Sequence, residues 1–161
     1  MINVRLGNGF DVHAFTEGNE LTLCGVKIPF SKKLSGHSDA DVGLHAITDA
    51  IYGALAAGDI GTHFPPNDPK WKDASSDIFL KHAVQLADKL GYRINNIDCT
   101  IICEKPKIGP LSDKMKTSIS KIMELDKSRI SVKATTTEKL GLTGREEGIA
   151  ALVTASVIKV E

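Results

Sequence analysis

The segment from Leu44 to Gly58 spaces Leu44, Ile47, Ile51 and Leu55 as one helical stripe of apolar side chains. A helix of this kind buries its stripe only by lying on another element, so its neighbours decide the fold class. Residues 2–6 and 9–15 read as extended, and "LTLCGVKIPF" (21–30) as a strand pair interrupted near Gly25. "LSGHSDADVG" (34–43) is a loop feeding the helix, with Ser38 or Asp39 as expected N-cap; the helix runs to about Ala57 and Gly58 ends it. Residues 59–76 form a long, proline-rich loop, and loops of that length tend to carry function. A second helix is expected over about 76–90, burying Phe79, Ala83, Leu86 and Leu90 and stopping at Gly91, and a third over about 112–124. Strands are expected at 96–105, 130–138 and 149–160. The alanines of the last permit helix, but its valines, isoleucines and threonine favour strand. This order of elements points to an α+β fold with helices packed on a sheet, and no repeat or linker divides residues 1–161, so one domain is expected.

Charge narrows the function classes. Twenty basic side chains balance twenty acidic ones, which argues against a nucleic-acid binder that depends on a strong overall field. A local basic pocket for a small phosphorylated ligand remains open. No apolar run reaches the roughly 20 residues of a membrane span, and "MINVRLGNGFDV" lacks the pattern of a signal peptide. Cys24, Cys99 and Cys103 contain no C-x-x-C and read as buried small hydrophobes. The expectation is a cytoplasmic, reduced protein.

Two stretches carry chemistry. In "GNGFDVHAF" (7–15), Asp11 and His13 share one strand face, roughly 7 Å apart at their α-carbons. His45 lies on the first helix with Asp41 and Asp49 four residues to either side. Strand aspartate and histidine plus helix histidine make three N/O ligands with an open fourth position, a count that suits a catalytic zinc. Asp41 or Asp49 can then orient a ligating imidazole. By spacing alone the ordinary reading stands ahead: Asp11 caps a turn, His13 is half-buried and His45 faces solvent. His63 and His82 have no partners in sequence. In "KATTTEKLG" (133–141), three threonines at a strand end offer the donors phosphate needs, and Glu138 offers a carboxylate for a hard divalent cation. Lys133, Lys139 and Arg145 can balance charge. The alternative is plain β-propensity, since threonines are common in strands. There is no P-loop, and "GNGFDV" lacks the third glycine and the helix of a dinucleotide fingerprint.

Taken together, "GNGFDVHAF", "GHSDADVGLHAITDAIYGALAAGDIG", "FPPNDP", "CEKPKIGP" and "VKATTTEKLGLTGREEGIA" resemble, in this order and nearly end to end, the 2-C-methyl-D-erythritol 2,4-cyclodiphosphate synthase family of the non-mevalonate isoprenoid pathway. The resemblance implies a lyase that converts 4-diphosphocytidyl-2-C-methyl-D-erythritol 2-phosphate into the cyclic diphosphate and CMP. It implies an α+β domain with a mixed four-stranded sheet, covered by helices on one face, the sheets facing the axis of a homotrimer with active sites between subunits. Asp11, His13 and His45 match the zinc ligands, with Val12 among the substrate-contacting positions. His37 and Ser38 match contacts to the substrate phosphates, His37 being assigned to transition-state stabilisation. Asp59, Ile60 and Gly61 match the segment at the ribose and erythritol, and Phe64, Pro65, Pro66, Asn67 and Asp68 the adjoining mobile loop. Across the subunit boundary, Cys103, Glu104, Lys105, Pro106, Lys107, Ile108 and Gly109 correspond to the cytosine pocket. Thr135, Thr136 and Thr137 match phosphate-binding threonines, with Thr136 helping to stabilise the transition state. Glu138 matches the ligand for magnesium or manganese, and Leu142 and Arg145 match positions near the trimer axis and the phosphate end. An isoprenoid diphosphate on the axis is a further implied partner; nucleic acid and membrane are not.

The chain departs from the pattern at Asn8, where many relatives carry histidine, at Pro66, where aspartate is frequent, and at Leu142, where phenylalanine is frequent. Two other readings remain at this stage: a zinc-dependent hydrolase of a small phosphorylated metabolite, using the open metal position to activate water, and a trimeric binding module for isoprenoid diphosphates with structural zinc.

Overall fold

Alternation along the first strand organises the molecule. In the computed structural model, which describes residues 3–160, a single strand β1 (Val4–Glu17) runs unbroken through the "GNG" that separated the two expected segments. It is followed by β2 (Glu20–Leu23) and β3 (Val26–Pro29), which form the expected two-stranded hairpin, β4 (Lys32–Leu34), helix α1 (Val42–Leu55), the short helix α2 (Ile60–His63) and α3 (Asp77–Lys89). Then come β5 (Tyr92–Ile102), α4 (Ser112–Met123), β6 (Ile130–Thr135), the short α5 (Gly141–Gly144) and β7 (Gly148–Lys159). Residue 2 of the expected first strand, and Met1, Ile2 and Glu161 of the expected domain, lie outside the described residues.

The main sheet has the order β4-β1-β7-β5-β6. β1 pairs antiparallel with β7 from Val4 opposite Ile158 to Ala14 opposite Gly148, and β5 pairs antiparallel with β7. β5 and β6 are parallel, which requires a crossover, and α4 supplies it. The sheet is mixed, as expected, but five-stranded rather than four-stranded: Lys32–Leu34, too short and charged to read as a strand, pairs with the end of β1. The ambiguous final segment is strand, and as β7 it lies in the middle of the sheet, where Ile149, Val153, Val157 and its alanines are buried.

One face of this sheet carries the core. Along β7, Ile149, Ala151, Val153, Ala155 and Val157 are buried, as are Ile97, Cys99 and Ile101 of β5, and α1, α3 and α4 pack over them. The opposite face keeps large apolar side chains in solvent, including Leu6 at 68% and Phe10 at 58% exposure. Such a row is unusual for an isolated chain.

Gly7 and Gly9 explain how α1 lies so close. A β-carbon on Gly7 would stand 2.0 Å from the Ala50 carbonyl oxygen, and one on Gly9 would stand 1.9 Å from that of Ala46. Neither space admits a methyl group. The "GNG" of β1 is a seat for helix backbone, and Ala46 and Ala50 are the matching small residues on α1.

Local chemistry corrects several boundaries. The N-cap of α1 is Asp41, not Ser38 or Asp39. Its Oδ1 accepts from the backbone N–H of Leu44 (3.0 Å) and Cys24 (2.8 Å), and Oδ2 from that of Gly25 (2.6 Å). Asp41 thus ties the β2–β3 turn to the helix start from a fully buried position, and burial raises its pKa against those donors. The helix ends at Ala56 in the left-handed conformation, two residues before Gly58. The expected loop 59–76 contains α2, capped by Asp59, and a 3-10 turn at Pro69–Trp71, capped by Asp68. On α3 the buried side chains are Phe79, Leu80, Ala83 and Ala87; Leu86 is half-buried and Leu90 exposed, because the core-facing stripe is rotated from the expected one. β5 begins four residues earlier than expected and stops at Ile102, and β6 stops at Thr135, where the chain turns away from the sheet. Cys24, Cys99 and Cys103 are buried and free, as expected.

Candidate metal centre and nucleotide pocket

The close seat of α1 on β1 brings His45 to the two strand residues. Asp11 Oδ2 lies 3.0 Å from His13 Nε2 and 3.1 Å from His45 Nδ1, and those two nitrogens are 3.1 Å apart. One carboxylate oxygen and two imidazole nitrogens therefore converge on one point, all three side chains half-buried. The pair of strand residues does share a face, and His13 is half-buried as the ordinary reading held, but Asp11 caps no turn and His45 turns inward.

Electrostatics inside the trio fit a cation. Burial alone would push the Asp11 carboxyl up, but hydrogen bonds and charges from His13 and His45 outweigh it and hold the pKa at about 2. Burial opposes a charged His13 imidazole, and the hydrogen bond and charge of Asp11 outweigh that, so its pKa is raised. His13 Nδ1 lies 2.9 Å from the Ser35 carbonyl oxygen, which can only accept. That bond commits the Nδ1 proton, so the charged ring donates from Nε2 to Asp11, whereas the neutral ring offers the Nε2 lone pair to a cation at the same point. Two imidazoles and a carboxylate, approachable from one side, form a donor set that suits zinc.

The remaining nitrogen of His45, Nε2, is 2.8 Å from Ser76 Oγ and 3.1 Å from Ser38 Oγ. Neither Asp41 nor Asp49 orients the imidazole, contrary to expectation. Asp41 is consumed in capping, and Asp49 Oδ1 accepts from the Ile60 N–H at 2.8 Å, anchoring α2. Helical spacing put both on the same helix as His45 but could not say which other elements compete for them. The partners that do reach the trio, Ser35, Ser38 and Ser76, come from the loop ahead of α1 and from the start of α3. For Ser35 and Ser76 the only sequence signal is position, Ser76 standing where a helix was expected to begin.

Above the trio opens a cavity of about 280 Å3. His13, His37, Ser38 and His45 form its polar side, and Ile60, Phe64, Pro66, Asn67, Asp68, Trp71 and Phe79 line the rest. Trp71 meets Phe64 and Phe79 edge to face and those two rings are tilted against each other, with ring centroids 4.7 to 6.3 Å apart. Of the other residues singled out, Asp59 spends Oδ1 on Thr62, and Val12 is turned to the opposite face of β1. The histidines without sequence partners do have spatial ones: His82 Nδ1 is 2.7 Å from the buried Tyr52 hydroxyl, and His63 stacks on the same ring.

The second group gathers separately. Cys103, Glu104, Pro106, Lys107, Ile108 and Gly109 join Ala134, Thr135 and Thr136 around a cavity of about 210 Å3, with a cis peptide between Lys105 and Pro106. The Lys139 N–H donates to Glu104 at 3.0 Å and clasps the two loops. Thr137 Oγ1 donates to the Leu140 carbonyl at 2.6 Å, and the Glu138 N–H donates to Thr136 Oγ1 at 3.2 Å, so the threonine run forms a tight turn with the Glu138 carboxylate exposed. Arg145 pairs with Glu147 at 3.1 Å, and Leu142 is 43% exposed. The 103–109 and 135–136 residues do not line the cavity above Asp11, His13 and His45.

Residues 4–158 match the protein family described as YgbB. The chain belongs to the YgbB family. Within that family it is 63% identical over 158 residues to the 2-C-methyl-D-erythritol 2,4-cyclodiphosphate synthase of Roseobacter denitrificans, covering 98% of this chain and 99% of the relative. It is 59% identical over 157 residues to a bifunctional enzyme IspD/IspF of Ruegeria sp., again covering 98% of this chain but 41% of that protein. The chain therefore spans the whole of some curated family members and less than half of others. Among solved structures, the bifunctional IspDF of Campylobacter jejuni superposes with a TM-score of 0.96 at 42% identity, over 100% of this chain and 44% of that one. A Plasmodium falciparum family structure described as an IspF CDP complex superposes with a TM-score of 0.87 at 38% identity, over 99% and 98%. None of these relatives, named as a cyclodiphosphate synthase or as IspD/IspF enzymes, supports the hydrolase or the non-enzymatic binding module.

Proposed function

We propose that this chain catalyses the intramolecular phosphoryl transfer that converts 4-diphosphocytidyl-2-C-methyl-D-erythritol 2-phosphate into 2-C-methyl-D-erythritol 2,4-cyclodiphosphate and CMP, a step in isoprenoid precursor biosynthesis. The observation that carries this reading is the convergence of Asp11, His13 and His45 beneath a cavity edged by His37 and Ser38. In the reaction an oxygen of the substrate's 2-phosphate bonds to the β-phosphorus. The bond from that phosphorus to the bridging oxygen breaks, and CMP leaves with the oxygen and its electron pair. Substrate supplies its own nucleophile, so the side chains need only bind, orient and neutralise charge.

Asp11, His13 and His45 are the residues that would hold zinc, and Glu138 would hold magnesium or manganese. These ions supply Lewis-acid stabilisation of the phosphoryl oxygens and of the leaving group. His37 and Ser38, which line the cavity, would donate to the phosphates. Asp59, Ile60 and Gly61 border the ribose and erythritol, with the Phe64–Asp68 segment closing over them. Thr135 to Thr137 cradle the diphosphate, and the Cys103–Gly109 loop takes the cytosine, a reading supported by the CDP in the Plasmodium relative.

The two residue groups occupy separate cavities, and a strongly apolar sheet face is uncovered. Both support a homotrimer in which the metal centre of one subunit meets the threonine turn of the next. The same assembly would put Leu142 near the axis, where an isoprenoid diphosphate would bind. Cytoplasmic location fits a chain in which no described helix is long and apolar enough to cross a membrane.

Phosphorus NMR of the purified protein with the diphosphocytidyl substrate tests the reaction. CMP and the cyclic diphosphate should appear together and be lost with chelator, whereas inorganic phosphate would overturn the assignment. Glu138→Gln is expected to raise the magnesium concentration needed for half-maximal turnover; an unchanged requirement would remove Glu138 from that role.

A further inference from the structure

Ser76 stands at the N-cap of α3 and does not cap it: its hydroxyl makes no bond to the helix it begins. Serine is favoured at that position because its oxygen accepts a backbone N–H. Here the oxygen is committed elsewhere. The side chain is fully buried, 2.8 Å from His45 Nε2 and at short hydrogen-bond distance from Asp39 Oδ1. The Ser76 N–H donates to Asp39 Oδ2 at 3.1 Å, so one carboxylate grips both the hydroxyl and the backbone of the same residue. The same loop regions are further joined by the Asp39 N–H donating to the Ala74 carbonyl at 3.1 Å and the Asp73 N–H donating to the His37 carbonyl at 2.7 Å.

Donor and acceptor roles follow in one direction. A carboxylate only accepts, so the Ser76 hydroxyl gives its single proton to Asp39. Towards His45 the Ser76 oxygen can then only accept, and His45 Nε2 must carry the proton. In the neutral ring this leaves the lone pair on Nδ1, the nitrogen that faces Asp11 and His13, against the pull of the Asp11 carboxylate, 3.1 Å away, for a proton on that side. We propose that Ser76, held by Asp39, is a positioning residue that locks His45 in its Nδ1-coordinating tautomer before any metal arrives. It does for the helix ligand what the Ser35 carbonyl does for His13. Ser38, also within reach of Nε2, is less buried and is held by a single backbone donor, the Ala40 N–H at 3.2 Å, so it lacks the grip that would enforce a direction.

This inference rests on the reading of Asp11, His13 and His45 as metal ligands, and the test separates the two. Long-range proton–nitrogen NMR of histidine side chains in metal-free protein at mildly alkaline pH reads the tautomer directly, with His45→Ala identifying the resonance. Wild type should show His45 as a single Nε2–H tautomer. Ser76→Ala should give a mixture and weaken cobalt(II) binding by about 10- to 100-fold, and Ser76→Thr should restore both. Should Ser76→Ala fail to fold, Asp39→Asn, whose amide can donate as well as accept and so no longer fixes the direction of the Ser76 hydroxyl, should show the same mixed tautomer. A folded Ser76→Ala protein that keeps one tautomer and wild-type cobalt affinity would overturn the proposal. So would loss of the tautomer in Ser38→Ala instead. If wild type bound no cobalt while its tautomer still depended on Ser76, the positioning role would stand and the metal reading would fall.

Discussion

At the scale of single residues, chemistry is decided by which backbone groups compete for a side chain. Asp41 and Asp49 sit symmetrically about His45 in sequence, and both would serve a metal ligand equally well on a helical wheel. Both are spent on backbone amides, Asp41 on three and Asp49 on one. Asp41→Ala would leave buried N–H groups of Cys24 and Leu44 without an acceptor and remove a helix cap. Each such loss costs about 1–3 kcal/mol, so the variant should lose about 3 kcal/mol or more in a urea melt while keeping its metal ligands. A change below 1 kcal/mol would show that Asp41 does not tie hairpin to helix. Ser76 shows the converse: a residue that breaks a local preference is where function is to be sought.

At the scale of elements, the decisive contact is α1 on β1. The "GNG" reads in sequence as a failed dinucleotide fingerprint, and its real role appears only when Ala46 and Ala50 are seen pressed against Gly9 and Gly7. Gly9→Ala must push helix from strand, because the obstructing atom is a backbone carbonyl with no rotamer to change. Overpacking of this kind costs about 1–3 kcal/mol, and it moves His45 away from Asp11 and His13. The expected result is a lower melting temperature together with weaker cobalt binding. An alanine variant with wild-type affinity would show that the trio tolerates displacement of its helix. Boundaries of the other elements shifted for ordinary reasons. The stripe on α3 is set by what the sheet presents to it, and β4 exists because β1 extends far enough to pair with it.

At the scale of the whole molecule, the uncovered sheet face and the two separated cavities point the same way. Leu6 and Phe10 of β1 and Leu152 of β7 lie together on that face, since Phe10 is opposite Leu152 in the ladder. Replacing Leu6 and Phe10 by aspartate should leave the metal centre intact, because its ligands occupy the other face of β1. It should convert the proposed trimer to monomers in light scattering and abolish turnover. A monomer with undiminished turnover would confine the active site to one chain.

Much of this protein was legible in the sequence because the relevant physics is local. The 3.6-residue stripe of α1, the alternation that puts Asp11 and His13 on one face, and the β-branched run of β7 all depend on neighbours within a turn or two. The ordered set of motifs that identifies the family is likewise readable without coordinates. What tertiary structure alone decided is the meeting of distant residues. His45 reaches Asp11 across 34 positions, and Ser76 reaches His45 across 31, through helix packing that no periodicity encodes. Competition for Asp41, the fifth strand and the rotation of α3 belong with them, since each depends on what another element leaves unsatisfied. Spacing could propose three ligands, but only packing that two glycines permit brings them within 3.1 Å of one another.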